Sequence, residues 1–159
     1  MRVGMGFDVH PLVYGVPCVI GGVTLNFAKG PRGHSDGDAL CHAIIDAVLG
    51  AASLGDIGHH FPDTDPAFKG ISSVELLERT AKMLKNAGYR VENVDATVIM
   101  EQPKLGDDKR RMAAIIGKAL GIPSYRVNVK GKTHAGIGEL GRGEAVAAQA
   151  VASVVEMEA

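Results

Sequence analysis

The chain has 159 residues, of which 46% are hydrophobic and only 4% aromatic, and its formal net charge is −1. This length predicts a single domain, residues 1–159, and the aliphatic composition predicts a core built from Val, Ile, Leu, Ala and Met. The balanced charge argues against nucleic acid as a partner, and no apolar run reaches the roughly 18 residues of a membrane helix.

The first half of the chain predicts two strands, a helix and a long loop. Gly21-Gly22 is a turn between two short strand arms, and Ser35 with Asp38 three residues later is a capping-box pattern that starts a helix. The predicted elements are strands at 1–10 and 18–25, a helix from about 35 to 52, and a loop rich in Gly, Pro and Asp at 53–71.

The second half continues the alternation of helices and strands. We predict helices at 73–87 and 107–120, strands at 91–100 and 126–130, and a last helix at 143–156. This last helix is almost entirely Ala and Val, which indicates burial on both sides, one against a sheet and one against a neighbouring subunit. The order predicts an α/β (α+β) sandwich with a mixed sheet of four to five strands and helices on one face.

The two cysteines bear on the cellular compartment. Cys18 and Cys41 lie in apolar contexts without CxxC spacing, so we expect buried free thiols rather than a disulfide. The first ten residues already have a strand pattern, which leaves no room for a signal peptide. Together these features predict a cytoplasmic protein.

A metal site is indicated by Asp8 and His10. Residues i and i+2 of a strand share a face, so these two side chains can converge on one ion. His42 is the natural third ligand, and two histidines with one carboxylate and an open fourth position form a catalytic zinc arrangement. The alternative is that His10 ends the strand and only hydrogen-bonds Asp8.

The helix that carries His42 has further polar residues. Asp38, His42 and Asp46 recur at i, i+4 and i+8, which places them on one face that either meets solvent or lines a site. His34 and Ser35 precede the helix, where free N–H groups and the helix dipole favour phosphate oxygens. A solvated face remains an adequate explanation of Asp38 and Asp46.

Two glycine-containing loops are weaker signals. The loop at 55–66 is either a surface loop or a lid, and His59-His60 are poor metal ligands because adjacent residues rarely converge. The segment 130–138, with lysines, Thr133 and glycines, is a possible phosphate cradle without the Walker A spacing.

Taken together, these motifs resemble the 2-C-methyl-D-erythritol 2,4-cyclodiphosphate synthase family over essentially the full length. The segments that carry the resemblance are Gly6-Phe7-Asp8-Val9-His10, Ile20-Gly21-Gly22-Val23, His34-Ser35-Asp36-Gly37-Asp38, Leu54-Gly55-Asp56-Ile57-Gly58, Phe61-Pro62-Asp63-Thr64-Asp65-Pro66, Pro103-Lys104 and Gly141-Arg142-Gly143-Glu144. Each segment is short, but their joint order and spacing are specific.

The resemblance implies a homotrimer with sheets around a threefold axis and active sites at the subunit interfaces. It implies that Asp8, His10 and His42 bind zinc. The implied reaction, in the non-mevalonate isoprenoid pathway, converts 4-diphosphocytidyl-2-C-methyl-D-erythritol 2-phosphate to the 2,4-cyclodiphosphate and CMP. Charge neutralisation and positioning dominate catalysis of such phosphoryl transfers.

The resemblance also assigns roles to individual residues. His34 and Thr133 are the implied catalytic residues. The erythritol pocket is lined by Asp46 and residues 56–58. The cytidine diphosphate is held by residues 100–106 and Lys132. Arg142 and Glu144 are placed near the threefold axis, in a cavity that can hold an isoprenoid diphosphate. The implied substrate-binding residues are Asp8, His10, His34, Ser35, Asp46, Asp56, Ile57, Gly58, Phe61, Pro62, Asp63, Thr64, Asp65, Met100, Lys104, Gly106, Lys132, Thr133 and Arg142.

The sequence departs from the family pattern at two positions. Ala135 stands where the family usually has a Glu that ligates a second divalent ion, magnesium or manganese, and Glu139 replaces an axial Phe. Lys132 or His134 then supplies part of that charge, or the ion binds only through substrate phosphates and water. The departures motivate an alternative function, a trimeric relative that binds isoprenoid or nucleotide diphosphates with weak or no turnover. An unrelated zinc phosphohydrolase with the same three ligands is a third reading.

Overall fold

The computed structural model describes residues 1–158. The strands are β1 (Arg2–Tyr14), β2 (Cys18–Ile20), β3 (Val23–Leu25), β4 (Lys29–Pro31), β5 (Tyr89–Ile99), β6 (Val127–Lys132) and β7 (Ala145–Glu156). The helices are α1 (Ala39–Ala51), α2 (Ile57–His60), α3 (Ser73–Asn86), α4 (Asp108–Leu120) and α5 (Gly138–Gly141), with 3₁₀ turns at Pro66–Phe68 and Ser124–Arg126.

Five of the strands form one mixed sheet in the order β4-β1-β7-β5-β6. β5 and β6 are parallel, whereas the other neighbouring pairs are antiparallel. β2 and β3 form a separate hairpin. The fold is therefore a mixed α+β fold, and the sheet of four to five strands expected from the sequence is observed with five.

Helix α1 lies directly on β1 and β7 because the facing residues are very small. A Cβ atom added to Gly6 would lie 1.8 Å from the carbonyl oxygen of Ala43, and one on Gly4 would lie 2.1 Å from that of Ala47. The partners of these glycines in β7 are Ala150 and Ala152, respectively. Backbone therefore meets backbone here, which fixes the height of α1 above the sheet.

The predicted last helix at 143–156 is wrong, because this segment is strand β7. β7 pairs with β1 on one side and β5 on the other, so every part of it lies inside the sheet. Alanine favours helices in isolation, but a central strand beneath a close-packed helix also requires small side chains. The residues of β7 that face α1 are buried, as the composition predicted, whereas Gln149 and Val151 on the opposite face are exposed in the single chain. The neighbouring subunit expected on that face stays a prediction.

The sheet face opposite α1 carries exposed apolar side chains from β1. Val3, Met5, Phe7 and Val9 are 62%, 64%, 53% and 50% exposed, and they alternate with the residues that face α1. Val151 of β7, the partner of Met5, is also exposed. A contiguous exposed apolar face of this kind is typical of an interaction surface.

Some of the other predicted elements are confirmed and others are wrong or were missed. Helices α3 and α4, the hairpin turn at Gly21-Gly22 and the buried free thiols of Cys18 and Cys41 are confirmed. The capping-box start near Ser35 is wrong, since α1 begins at Ala39 with Asp38 as its N-cap. Strand β4 and helix α2 were not predicted.

Within residues 1–158, none of the helices has the length and hydropathy needed to cross a bilayer.

Candidate active site

The three predicted metal ligands meet at one point. Asp8 Oδ2 lies 2.7 Å from His10 Nε2 and 2.9 Å from His42 Nδ1, and the two imidazole nitrogens are 3.1 Å apart. Zinc with bonds of 2.0–2.1 Å in tetrahedral geometry needs ligand atoms about 3.3 Å apart. This triangle of two nitrogens and one carboxylate oxygen therefore fits a zinc ion after a small expansion.

The electrostatics of the triangle suit a cation. Burial raises the pKa of Asp8, but hydrogen bonds from His10 and His42 outweigh that effect and lower the pKa to about 2. For His10, burial lowers the pKa, yet the hydrogen bond and charge of Asp8 give a net rise. The carboxylate is thus ionised throughout the physiological range and attracts positive charge.

His42 is held from its other side by hydroxyl groups. Its Nε2 atom lies 2.8 Å from Ser73 Oγ and 3.0 Å from Ser35 Oγ, while Nδ1 faces Asp8. Ser73 is fully buried at the first position of α3, and its hydroxyl donates to Asp36 Oδ1 while its backbone N–H donates to Asp36 Oδ2. These contacts fix the ring orientation that leaves Nδ1 free to ligate a metal.

Asp38 has a structural role at the N-terminus of α1. Its carboxylate is fully buried and accepts hydrogen bonds from the backbone N–H groups of Gly21, Gly22 and Cys41. Burial raises its pKa despite these donors. The carboxylate occupies the position where we expected phosphate, so phosphate binding in this region rests on His34 and Ser35 rather than on the helix end.

A cavity of about 430 Å³ adjoins the metal triangle. It brings together residues that the sequence assigned to one site, and adds Gly33, Phe68 and Leu76, which were not predicted. The cavity is lined by His10, Gly33, His34, Ser35, His42, Ile57, Gly58, Phe61, Pro62, Asp63, Phe68 and Leu76.

The loop at 54–71 is tied to this cavity by hydrogen bonds. Asp46 Oδ1 accepts from the N–H of Ile57 at 2.7 Å, and burial raises the pKa of Asp46. Asp56 caps α2, accepting the N–H of His59. His34 Nε2 donates to the carbonyl of Asp65 at 3.0 Å.

The paired histidines of this loop do not join the metal triangle. His60 Nε2 donates to the carbonyl of Leu54 at 2.6 Å. This contact gives His60 a structural role, in line with the expectation that adjacent histidines rarely converge on one ion.

A second, smaller cavity lies at the ends of β5 and β6. It measures about 160 Å³ and is lined by Val98, Met100, Pro103, Lys104, Leu105, Gly106, Lys109, Gly131, Lys132 and Thr133. These include the residues that the resemblance assigns to cytidine diphosphate. No residue lines both cavities, so within one chain His34 and Thr133 belong to different pockets.

The turn after β6 is held by a residue that the sequence analysis did not single out. Glu101 Oε1 accepts from the backbone N–H groups of His134 at 2.7 Å and Gly136 at 3.4 Å. His134 Nδ1 donates to the carbonyl of Ile137, so this ring is engaged in the turn itself. The only sequence signal was a lone acid after a strand, which does not distinguish such a contact from a solvated side chain.

Further along, Arg142 forms ion pairs with two carboxylates. Its Nε donates to Glu144 Oε1 at 2.9 Å, and Nη2 lies 3.7 Å from Glu139 Oε1. Arg142 lowers the pKa of Glu144, through their hydrogen bond and its charge. Glu139 thus sits beside Arg142, where the resemblance led us to expect an apolar residue.

The chain is similar to known proteins over its whole length. A chain from Desulfosudis oleivorans named 2-C-methyl-D-erythritol 2,4-cyclodiphosphate synthase is 57% identical over 159 residues, covering 100% of this chain and 95% of that protein. A bifunctional IspDF structure from Campylobacter jejuni has a TM-score of 0.95 and 38% identity, covering 99% of this chain but 42% of that one.

A smaller solved relative matches along nearly its whole length. The structure of IspF from Plasmodium falciparum, described as a CDP complex, has a TM-score of 0.86 and 30% identity, covering 99% of this chain and 97% of that one. The YgbB family model matches residues 1–155. With nearly the whole chain matched, this protein belongs to the YgbB family, alongside the 2-C-methyl-D-erythritol 2,4-cyclodiphosphate synthases.

Proposed function

We propose that this chain is a 2-C-methyl-D-erythritol 2,4-cyclodiphosphate synthase, a phosphorus–oxygen lyase of the non-mevalonate route to isoprenoids. The observation that carries the proposal is the Asp8–His10–His42 triangle beside a cavity lined by His34 and Ser35, in a chain 57% identical to a protein with that name. The substrate is 4-diphosphocytidyl-2-C-methyl-D-erythritol 2-phosphate, and the leaving group is CMP.

The reaction is an intramolecular phosphoryl transfer. An oxygen of the 2-phosphate forms a bond with the β-phosphorus, and the bond from that phosphorus to the oxygen bridging to the α-phosphate breaks. That oxygen leaves with CMP, and the product is the cyclic diphosphate. No carbon bond changes, so the protein contributes mainly positioning and neutralisation of phosphate charge.

The residues of the large cavity position the erythritol phosphate end. Asp8, His10 and His42 would hold a zinc ion, whose chemistry is Lewis-acid withdrawal of charge from a phosphate oxygen. His34 and Ser35 supply hydrogen-bond donors to the phosphate, and Asp46 with residues 56–58 binds the sugar-alcohol hydroxyls. Residues 61–65 cover the site and exclude water, which strengthens each of these contacts.

The residues of the small cavity bind the nucleotide end. Lys104 and Lys132 bring positive charge to the diphosphate, and the Thr133 hydroxyl donates to a phosphate oxygen in the transition state. Met100 and Gly106 contact the cytidine. The CDP complex of the Plasmodium falciparum relative supports a cytidine nucleotide as ligand.

A homotrimer is the assembly that we infer. The two halves of the site lie in separate cavities of one chain, and the face with Met5 and Phe7 is apolar and exposed. Packing three such faces around a threefold axis would cover this surface and bring the large cavity of one subunit to the small cavity of the next. An isoprenoid diphosphate near Arg142 and Glu144, and a cytoplasmic location, stay predictions.

The second divalent ion does not fit the residues present. Position 135 is alanine, and the nearby Glu101 uses Oε1 to accept backbone hydrogen bonds. The protein therefore offers no carboxylate for such an ion at position 135. The positive charge beside the nucleotide pocket comes instead from Lys104, Lys109 and Lys132.

One assay tests the proposed function. The purified protein is given the cytidyl substrate with zinc and magnesium, and products are followed by phosphorus NMR and CMP release. Cyclic diphosphate with stoichiometric CMP supports the synthase. Linear phosphate products would indicate hydrolysis, and binding without CMP release would indicate the diphosphate-binding alternative, which the comparisons do not favour.

A further inference from the structure

We propose that Glu101 is a positioning residue for the reaction: its carboxylate fixes the turn at 133–136 and thereby orients the hydroxyl of Thr133. The inference rests on the proposed function, because it assumes that Thr133 faces the substrate diphosphate. Glu101 itself does not line the nucleotide cavity, so its effect would be transmitted through the turn.

The starting point is the parallel pairing of β5 and β6. The pair ends at Ile99 and Lys132, and the N–H of Met100 still donates to the carbonyl of Lys132 at 3.0 Å. The two parallel strands therefore end at the same edge of the sheet, and the segments that follow them lie side by side. Glu101, two residues beyond Ile99, reaches the turn that follows Lys132.

The turn directs several N–H groups toward oxygen acceptors. Those of His134 and Gly136 donate to one atom, Glu101 Oε1, and the N–H of Ala135 between them donates to Thr133 Oγ1 at 3.4 Å. Successive N–H groups in such a turn form an anion-binding concavity. Here the anion is supplied by the chain itself.

The backbone of this turn needs such support. Ala135 has φ = 53°, a left-handed conformation that is unfavourable for a residue with a Cβ. The two hydrogen bonds of Glu101 flank Ala135 on both sides in sequence. They tie the backbone before and after Ala135 to a single atom, Glu101 Oε1.

The consequence for Thr133 is an oriented donor. Its oxygen already accepts the N–H of Ala135, so its hydroxyl proton points away from that group. A hydroxyl fixed in this way can donate to a phosphate oxygen without first reorganising. If the turn relaxes, Ala135 leaves its conformation and the threonine loses the contact that orients it.

A double-mutant cycle tests this chain of contacts. In the zinc-loaded enzyme, Glu101→Ala is expected to lower kcat about tenfold with a smaller effect on KM. Glu101→Gln keeps an oxygen acceptor, so its kcat should fall less than that of Glu101→Ala. Thr133→Val removes the oriented hydroxyl. In the Thr133→Val background, Glu101→Ala should have almost no further effect on kcat.

The controls separate the possible failures. Glu78→Ala, at an exposed glutamate of α3, should leave kcat unchanged. If the parent enzyme makes no cyclic product, the proposed function is wrong. If the parent does make it, and the effects of the Glu101 and Thr133 substitutions on kcat simply multiply in the double mutant, the positioning role is wrong. A Glu101→Gln defect that excess magnesium abolishes would also overturn it, because the carboxylate would then be a metal ligand. Should Glu101→Ala fail to fold, Glu101→Gln is measured in the same cycle.

Discussion

The Nε2 atom of His42 lies 2.8 Å from the hydroxyl oxygen of Ser73, a residue 31 positions away on another helix. Ser73 is in turn held by both carboxylate oxygens of Asp36. The proposed metal ligand His42 is thus oriented by a buried contact that is independent of any metal.

Ser73→Ala is expected to weaken zinc binding by about 10–100-fold, the usual cost of losing an outer hydrogen bond to a ligating histidine. Competition with a zinc-chelating dye measures the change directly. Thr80→Val is the matched control, because Thr80 is also a buried hydroxyl on α3 but donates to the carbonyl of Leu76. Equal zinc affinity in Ser73→Ala and the parent would contradict the orienting role.

The Asp8–His10 pair predicts a pH dependence of stability in metal-free protein. The pKa of Asp8 is lowered from its ordinary value of 3.8 to about 2. Asp8 therefore adds about 2 kcal/mol to the free energy of unfolding above pH 3.8, and this stabilisation is lost as the pH falls toward 2. The pKa of His10 is raised, so its contribution is present below 6.5 and is lost as pH rises through the raised value.

Urea unfolding of chelator-treated protein checks this expectation. The difference in unfolding free energy between the parent and Asp8→Asn should be largest between pH 3.8 and 6.5 and should shrink on both sides. A difference that stays constant across this range and beyond it would show that the two groups are not coupled in the folded state.

Gly6→Ala is expected to destabilise the fold by about 3 kcal/mol or more, because the new methyl would be forced against backbone. Its Cβ would lie 1.8 Å from the carbonyl oxygen of Ala43, which cannot move without shifting α1. Gly50→Ala near the end of α1 is the control, since its added Cβ meets nothing within 4 Å. The control should be neutral or stabilising by up to about 1 kcal/mol. Similar urea midpoints for the two variants would refute the close-packing argument.

Met5→Asp is expected to prevent assembly into trimers. Met5 is 64% exposed in the single chain and lies in the middle of the apolar face of β1, so a carboxylate there would be buried without a partner. Tyr125→Asp, at an 81% exposed position outside this face, should leave the assembly unchanged. Sedimentation velocity distinguishes the two, and a trimeric Met5→Asp protein would rule out this face as the interface.

Subunit mixing tests whether active sites are shared between chains. His34→Ala and Thr133→Ala are each expected to be nearly inactive. If each site takes His34 from one subunit and Thr133 from the next, random mixed trimers should regain about one quarter of the parent activity. No recovery after mixing by mild denaturation and refolding would place both residues of a site in one chain.

The sequence was most informative where chemistry and local spacing coincide. Asp8 and His10 share a strand face by simple alternation, and the structure brings the third predicted ligand, His42 of α1, to the same point. The last strand was misassigned because alanine has high helix propensity, while its role beneath α1 depends on contacts with Gly4 and Gly6, which lie far away in sequence.

Other features depend on tertiary contacts that local patterns do not encode. The carboxylate of Asp38 is buried by the hairpin turn at Gly21-Gly22, although its helical position suggested a solvated face. Ser73 and Glu101 act on segments more than 30 residues away. Such pairs become visible only when the chain is folded.

The contact between Gly6 and Ala43 also bears on metal selectivity. Gly6 lies two residues before Asp8 on β1, and Ala43 follows His42 directly on α1, so the separation of strand and helix sets the separation of the ligands. Side-chain rotation can supply the small expansion of the triangle that zinc needs, whereas a larger one would require the helix to lift from the sheet, because backbone touches backbone there. We therefore expect small ions such as zinc to bind more tightly than large ones such as cadmium or calcium.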